Sequence, residues 1–266
     1  MSSLEVAAES KPSETVPRFD LLVLSPHLDD AALSCGGVLH RCTREGGRAL
    51  VVTVFAGDAP EPPSPFAREV EALWALGEKV TAERRAEDDR ALERLGAETA
   101  RWRFIDALYR TATDGAARYP DLRALRAEVR DPPELLAEIA EHVRELPSAH
   151  RILAPLAVGG HVDHQLTRRA VERVLDADPG LRFYEDFPYA RGRFALRRAL
   201  QRRRRWIDEV EALEDADLEA RCEAILAYRS QLGAAFVDEC DLRTQLRRFV
   251  ARRGGERLWR RRRPPR

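Results

Sequence analysis

The chain has 266 residues, an apolar share of 44% and a formal net charge of zero, with 45 basic side chains balanced by 45 acidic ones. That size and composition fit one sizeable α/β core with appendages rather than two separate domains. The charge balance argues against a protein built as a whole to coat nucleic acid, and no apolar run approaches the length of a membrane span.

Residues 1–18 lack a basic stretch followed by an apolar core and are read as a disordered leader of a cytoplasmic protein. Four cysteines, Cys35, Cys42, Cys222 and Cys240, form no Cys-x-x-Cys pair. They are expected to be reduced, with neither a disulfide framework nor a zinc knuckle. The first strand is the apolar run Leu21 to Leu24, ended by Ser25-Pro26, because proline lacks a donor for the ladder. His27, Asp29 and Asp30 follow at once, and an apolar helix opens at Ala31. Asp29 or Asp30 is placed to cap that helix with its carboxylate. Taken alone, the junction is either a helix cap or half of a site.

The helix is expected over Ala31 to Glu45, stopped by Gly46-Gly47, and Ala49 to Phe55 reads as a second, β-branched strand. Strand, helix and strand make a right-handed βαβ unit, whose ligands collect at the carboxyl ends of parallel strands. Gly57 to Pro65 is too proline-rich for regular structure and is read as a loop on the pocket rim. Thr81 to Leu95 has helical spacing, with Arg84, Arg85, Glu87 and Asp88 expected on an exposed, salt-bridged face. A third strand is placed at Arg101 to Ile105, ending at Asp106. Asp106 to Asp131 is read as an insertion or lid. Glu134 to Leu146 is an amphipathic helix behind Pro132-Pro133, and Arg151 to Ala154 is the fourth strand.

That fourth strand repeats the first pattern: Pro155, Gly159-Gly160, then His161, Asp163 and His164, then a helix. In a parallel sheet both loops leave the same edge, so His27, Asp30 and His164 can converge on one metal. Two imidazoles and one carboxylate leave a fourth zinc position open, as a hydrolytic rather than a structural site requires. Asp29 is then placed to take a proton from water, and His161 to polarise an oxyanion or protonate a leaving group. Asp163 is expected to hydrogen-bond His161 and fix its protonation.

With these residues in place, the sequence resembles the LmbE-like (PIG-L) N-acetylglucosaminyl deacetylases. PHLDDA, Pro26 to Ala31, stands where the family has (A/P)-H-P-D-D-E, and HVDH, His161 to His164, where it has H-P-D-H. Arg84, Glu87, Ala91 and Leu95-Gly96 fit the family's R-x-x-E-x-x-x-A-x-x-x-L-G helix, and Thr53 to Gly57 its second strand. The resemblance covers Phe19 to Tyr189. It implies a Rossmann-like, mostly parallel sheet flanked by helices, with His27, Asp30 and His164 as zinc ligands, Asp29 as base and His161 as acid or electrophile. It further suggests Arg84 and Asp106 as substrate contacts. Leu28 and Ala31 depart from the motif, and Ala31 is expected to remove a polar neighbour from the site. Bacterial relatives pair PHLDDA-like motifs with an FYEDFPYA-like segment, present here at Phe183 to Ala190.

The expected organisation is a catalytic α/β domain over residues 19–190, a helical C-terminal part of the same domain over 191–253, and a solvated basic tail over 254–266. Ala224 to Leu232 matches the family's terminal Y-x-S-Q helix. The expected activity is zinc-dependent removal of an N-acyl group, acetyl foremost, from a small-molecule amino sugar or amino-sugar conjugate. The ligand set also tolerates Fe2+. No nucleic-acid partner and no membrane span are expected, and homo-oligomerisation is left open. Two alternatives stand: a zinc hydrolase of another amide or of an ester, and a non-catalytic, zinc-stabilised binding module. A nucleotide-binding domain is disfavoured, because no G-x-G-x-x-G follows the first strand.

Overall fold

The computed structural model describes residues 18–76, 79–201 and 205–262. Nearly all of the expected leader and the end of the expected tail therefore lie outside the described residues. Seven strands, β1 (Phe19–Ser25), β2 (Ala49–Thr53), β3 (Glu98–Arg101), β4 (Ala149–Pro155), β5 (Leu181–Tyr184), β6 (Trp206–Glu211) and β7 (Glu256–Arg261), form one sheet. Its order is β3-β2-β1-β4-β5-β7-β6. The first five strands run parallel, while β7 pairs antiparallel with both β5 and β6.

The helices are α1 (Asp30–Arg44), α2 (Pro65–Trp74), α3 (Val80–Arg94), α4 (Leu122–Leu125), α5 (Pro133–Arg144), α6 (Val162–Leu175), α7 (Arg193–Ala199), α8 (Asp215–Leu226), α9 (Arg229–Ala235) and α10 (Glu239–Ala251). Alternation along β1 divides the core between two faces. Leu22 and Leu24 join Ile139 of α5 and Leu166 of α6, whereas Leu21 and Val23 join Leu39 of α1, Leu92 of α3 and Ala224 of α8. No helix among the described residues is long and apolar enough to cross a membrane.

The α/β, mostly parallel fold is as expected; four local expectations fail. The third strand is Glu98–Arg101, not Arg101 to Ile105. The apolar residues that suggested the later position, Trp102 and Phe104, instead pack against His142 of α5, with ring centroids 5.2 and 5.0 Å away. Beyond the proline loop, Ser64 caps an unforeseen helix, α2, by accepting from Ala67 N at 3.1 Å, with Pro65 at its first position. The face of α3 is not solvated. Arg84, Glu87 and Asp88 are buried, Glu87 accepting from both N and Oγ of Ser230 and Asp88 from the Tyr228 hydroxyl. Finally, the segment read as a solvated tail supplies β7, whose Leu258 and Trp259 are core residues. Its arginines find acids on neighbouring elements: Arg257 with Glu185, Arg260 with Glu209 and Arg261 with Glu172.

β7 also fixes the first helix. The helical path of α1 breaks at Cys35 (φ −142°, ψ 24°), which frees backbone donors just beyond the break. Glu256 accepts from Gly37 N and Val38 N, each at 2.9 Å, and pairs with the fully buried Arg221 at 2.9 Å. Arg221 in turn donates to the Leu33 carbonyl. A Cβ at position 37 would stand 2.8 Å from Glu256 Oε1 and 2.4 Å from a Leu213 methyl, so a side chain there would displace both. Removing one partner of such a buried pair strands the other's charge. Glu256→Ala is therefore expected to cost about 3–5 kcal/mol in urea unfolding, and pairing it with Arg221→Met to recover part of that loss.

Candidate metal centre and cavity

Ser25 organises the turn that carries the first cluster. Its hydroxyl donates to the His27 carbonyl at 2.6 Å and accepts from Ala31 N at 3.0 Å, filling the capping role expected of an aspartate. Asp29 occupies the N-cap position of α1 yet makes no side-chain cap hydrogen bond. Asp30 turns back instead, accepting from His27 N at 2.9 Å. The two neighbouring carboxylates are thus separated, with Asp30 committed and Asp29 facing a cavity.

Asp30 Oδ2 lies 3.1 Å from His27 Nδ1 and 3.2 Å from His164 Nε2. The far nitrogen of each imidazole meets a further carboxylate: His27 Nε2 lies 3.0 Å from Asp163, and His164 Nδ1 lies 2.6 Å from Asp186. The result is an unbroken row, Asp163, His27, Asp30, His164, Asp186, drawn from the carboxyl ends of β1, β4 and β5. Holding a metal-binding histidine by its other nitrogen is the usual way of fixing its tautomer and orientation.

The expected ligands therefore converge, and Asp163 does something other than expected. Its side chain does not reach the His161 ring. It holds His27, accepts from Ala107 N at 2.9 Å and receives Arg110 at 2.5 Å. Asp186, which the sequence offers with Tyr184, Glu185 and Tyr189 only as a residue able to reach the pocket, is not among the expected ligands or catalytic residues. It stands in FYEDFPYA, where an acidic pair straight after an apolar strand was the available signal. Its neighbour Glu185 turns the other way and anchors Arg253, Arg257 and Trp259.

The electrostatics of the row call for a cation. Burial disfavours a charged His27, but Asp106, Asp163 and Asp30 outweigh it and lift the imidazole to about 10. His164 is raised in the same way, against burial, by Asp30 and Asp186. Burial works against an ionised Asp30 as well, and His164 nevertheless holds it below the ordinary carboxylate range. A divalent ion would supply the same charge in place of those protons. Imidazole nitrogen and carboxylate oxygen, without sulfur, make a donor set that zinc and iron accept.

A third imidazole adjoins the row. Ligand atoms of His27, His161 and His164 lie within 4.8 Å of one another, as do those of His27, Asp106 and Asp163. His161 stands apart from the row, because its ring is used otherwise. Its Nδ1 accepts from Asp163 N at 3.3 Å, capping α6. Burial and the adjacent His27 push it well below the ordinary imidazole value, so it is neutral, with its proton on Nε2. Asp29 is shifted the opposite way, upward, by burial and by Asp30.

These side chains line the inner end of a cavity of about 880 Å³, together with Arg84 and Asp106. Arg84 lies over the Trp74 ring at 4.6 Å and makes no ion pair with Glu87. Asp106 Oδ1 accepts from Leu108 N at 2.9 Å, and its Oδ2 stands 3.7 Å from His27 Nε2. Ala31 is not on the wall. It is 2% exposed within the apolar cluster of α1, α3 and α8.

The sequence profile described as PIG-L, GlcNAc-PI de-N-acetylase, matches residues 22–175. A 2'-N-acetylparomamine deacetylase of Streptomyces fradiae is 34% identical over 253 residues, spanning 92% of this chain and 83% of the relative. Its namesake in Niallia circulans is 27% identical, covering 83% of each. Among solved structures, a zinc-inhibited teicoplanin deacetylase superposes with a TM-score of 0.77 at 28% identity, over 90% of this chain and 96% of that one. The deacetylase of the A40926 pseudoaglycone gives 0.74 at 28% identity, over 94% and 99%.

If Asp186 holds His164 for a metal, Asp186→Asn should weaken zinc binding about 10–100-fold in chelator competition. His164→Ala should leave dialysed protein without stoichiometric zinc. Unchanged affinity in both variants would place the metal elsewhere.

Proposed function

The chain belongs to the PIG-L family of de-N-acetylases, and from that premise we propose that it is a zinc-dependent hydrolase of an N-acetylated amino sugar or amino-sugar conjugate. N-deacetylation follows from the kinship with named deacetylases along nearly the whole chain. The amino-sugar substrate and the metal's identity are our reading. The observation that carries it is the division of labour at the cavity's inner end. The row fixes two imidazoles and Asp30 rigidly, while Asp29 and His161 are left facing the space where a substrate would lie.

His27, Asp30 and His164 would hold the ion, which in such sites acidifies water and polarises a carbonyl. Asp29 has no competing hydrogen bond among the described residues, and its raised proton affinity suits it to take a proton from the attacking water. As water adds to the amide carbon, charge develops on the carbonyl oxygen. His161, neutral and protonated on Nε2, donates a hydrogen bond to it. A neutral His161 is a poor source of a full proton. The proton held by Asp29 is the one available to the departing amine, so Asp29 serves first as base and then as acid. Asp163, itself paired with Arg110, holds His27 in place, and neither residue lines the cavity.

The test is release of free amine from a panel of N-acylated amino sugars by zinc-reconstituted protein. Asp29→Asn should retain zinc and lose kcat by about 10²–10⁴-fold, the usual scale for a positioned acid–base group. Release from simple esters but from no N-acyl sugar would favour the other hydrolase. Zinc-dependent thermal stability without turnover of any compound would favour a binding module.

A further inference from the structure

The segment expected as an insertion, residues 106–131, supplies Asp106, Leu108, Leu122, Leu125 and Arg126 to the cavity wall. Regular structure there consists of a 3-10 turn at Ala107–Tyr109, the four-residue α4 and one isolated bridge between Thr111 and Ala117. A long connection of this kind is either functional or disordered, and side chains have to order it. Tyr119, Ala124 and Leu125 pack with Val162 of α6, but apolar contact is non-directional and does not aim the backbone at Asp106. Arg110 does.

Arg110 reaches in three directions. Its Nη1 donates to the Ile105 carbonyl at 3.0 Å, its Nη2 donates to Asp163 Oδ1 at 2.5 Å, and its Nε lies 3.0 Å from Asp131 Oδ1. The guanidinium also lies over the rings of Phe55 and Tyr119, 5.2 and 5.6 Å from their centroids. Its side chain is 9% exposed, and those of Asp131 and Asp163 are 1% and 0% exposed. Ile105 and Asp131 bracket the segment, so one guanidinium closes it at both ends. The third contact ties that closure to the row.

Asp163 completes the join from the other side. The oxygen that meets His27 Nε2 at 3.0 Å also accepts from Ala107 N at 2.9 Å. The backbone on either side of Asp106 is thus held, at Ile105 by Arg110 and at Ala107 by Asp163, while Asp106 Oδ2 stands 3.7 Å from His27 Nε2. A wall residue and an imidazole of the row share one support. Buried as it is, that support resists being taken apart, because removing one member leaves a charge unpaired away from water. Whatever fixes His27 against Asp163 therefore also fixes the wall, and coupling of this kind is reciprocal.

We propose that Arg110 is a positioning residue that couples residues 106–131 to the row, so that an ion on His27 orders the cavity wall and the ordered wall tightens the hold on the ion. This rests on the reading of His27 as a metal ligand. Lysine is no substitute, since a single ammonium lacks the planar fork that serves Ile105, Asp131 and Asp163 together.

The experiment uses the full chain, stripped of metal by a chelator and reloaded with zinc. Amide hydrogen exchange across residues 105–131 should slow on loading by at least about tenfold more than in α10, which stands outside both the row and the cavity lining. In Arg110→Lys, zinc affinity in chelator competition should fall about tenfold or more, the usual effect of losing an outer support of a metal ligand. The slowing across 105–131 should then come within about twofold of that in α10. Asp131→Asn should weaken zinc about threefold. Asp131 acts at a distance here, since its partners among the described residues are Arg110, Arg118 and Tyr119 and no member of the row. It carries the test alone if Arg110→Lys does not fold. Variants that lose stability in urea yet bind zinc with unaltered affinity overturn the coupling and leave the metal reading intact, as does exchange across 105–131 that ignores zinc in the unaltered protein. A protein that binds no zinc overturns the metal reading, and the coupling with it.

Discussion

Everything at the inner end of the cavity depends on one arrangement: three buried carboxylates, Asp163, Asp30 and Asp186, alternating with two imidazoles in a continuous row. Away from water, such a row is unstable without compensating positive charge, because uncompensated buried charges cost several kcal/mol each. Protons on His27 and His164 supply that charge in the metal-free protein, as their raised affinities indicate. A divalent ion would supply it more compactly. The outer carboxylates fix which nitrogen of each ring faces Asp30, so the donors are aligned before any ion arrives.

Rigidity of the row comes from parts of the chain far apart in sequence. The Ser25 hydroxyl ties the His27 carbonyl to the Ala31 amide and so sets the turn between β1 and α1. Arg221 and Glu256, from the last third of the chain, grip α1 on either side of its break at Cys35. Asp186 is held within FYEDFPYA by Val158 N, which donates to its second oxygen at 2.7 Å, while Glu185 pins the same segment to β7 and the arginine that follows α10. The C-terminal strands therefore position residues that lie at the other end of the sequence.

This division explains what could be read in advance. Leu21 to Leu24, Ala49 to Thr53 and the helices of the two βαβ halves announce themselves by apolar period. His27, Asp30 and His164 do so by recurring at equivalent junctions of a parallel sheet. Asp186 could not be found that way, since its partner lies 22 residues upstream and nothing in the spacing marks the contact. Adjacency of Asp163 to His161 suggests a local bond, whereas the helical turn points its carboxylate across to His27. β7 was hidden by its own arginines. Their charge suggested solvent, but Glu172, Glu185 and Glu209 were waiting on neighbouring elements. The role of Ala31 rests on the motif alone, and its own side chain packs in an apolar cluster off the cavity wall.

The central claim is that the row exists to hold one metal ion through its middle three members. Anomalous diffraction at the zinc edge from crystals of the zinc-loaded protein addresses it most directly. The account predicts one strong peak bonded to His27 Nδ1, His164 Nε2 and a carboxylate oxygen of Asp30, with Asp163 and Asp186 still on the far nitrogens. A peak bonded to His161, with Asp30 left out of the coordination, would contradict it.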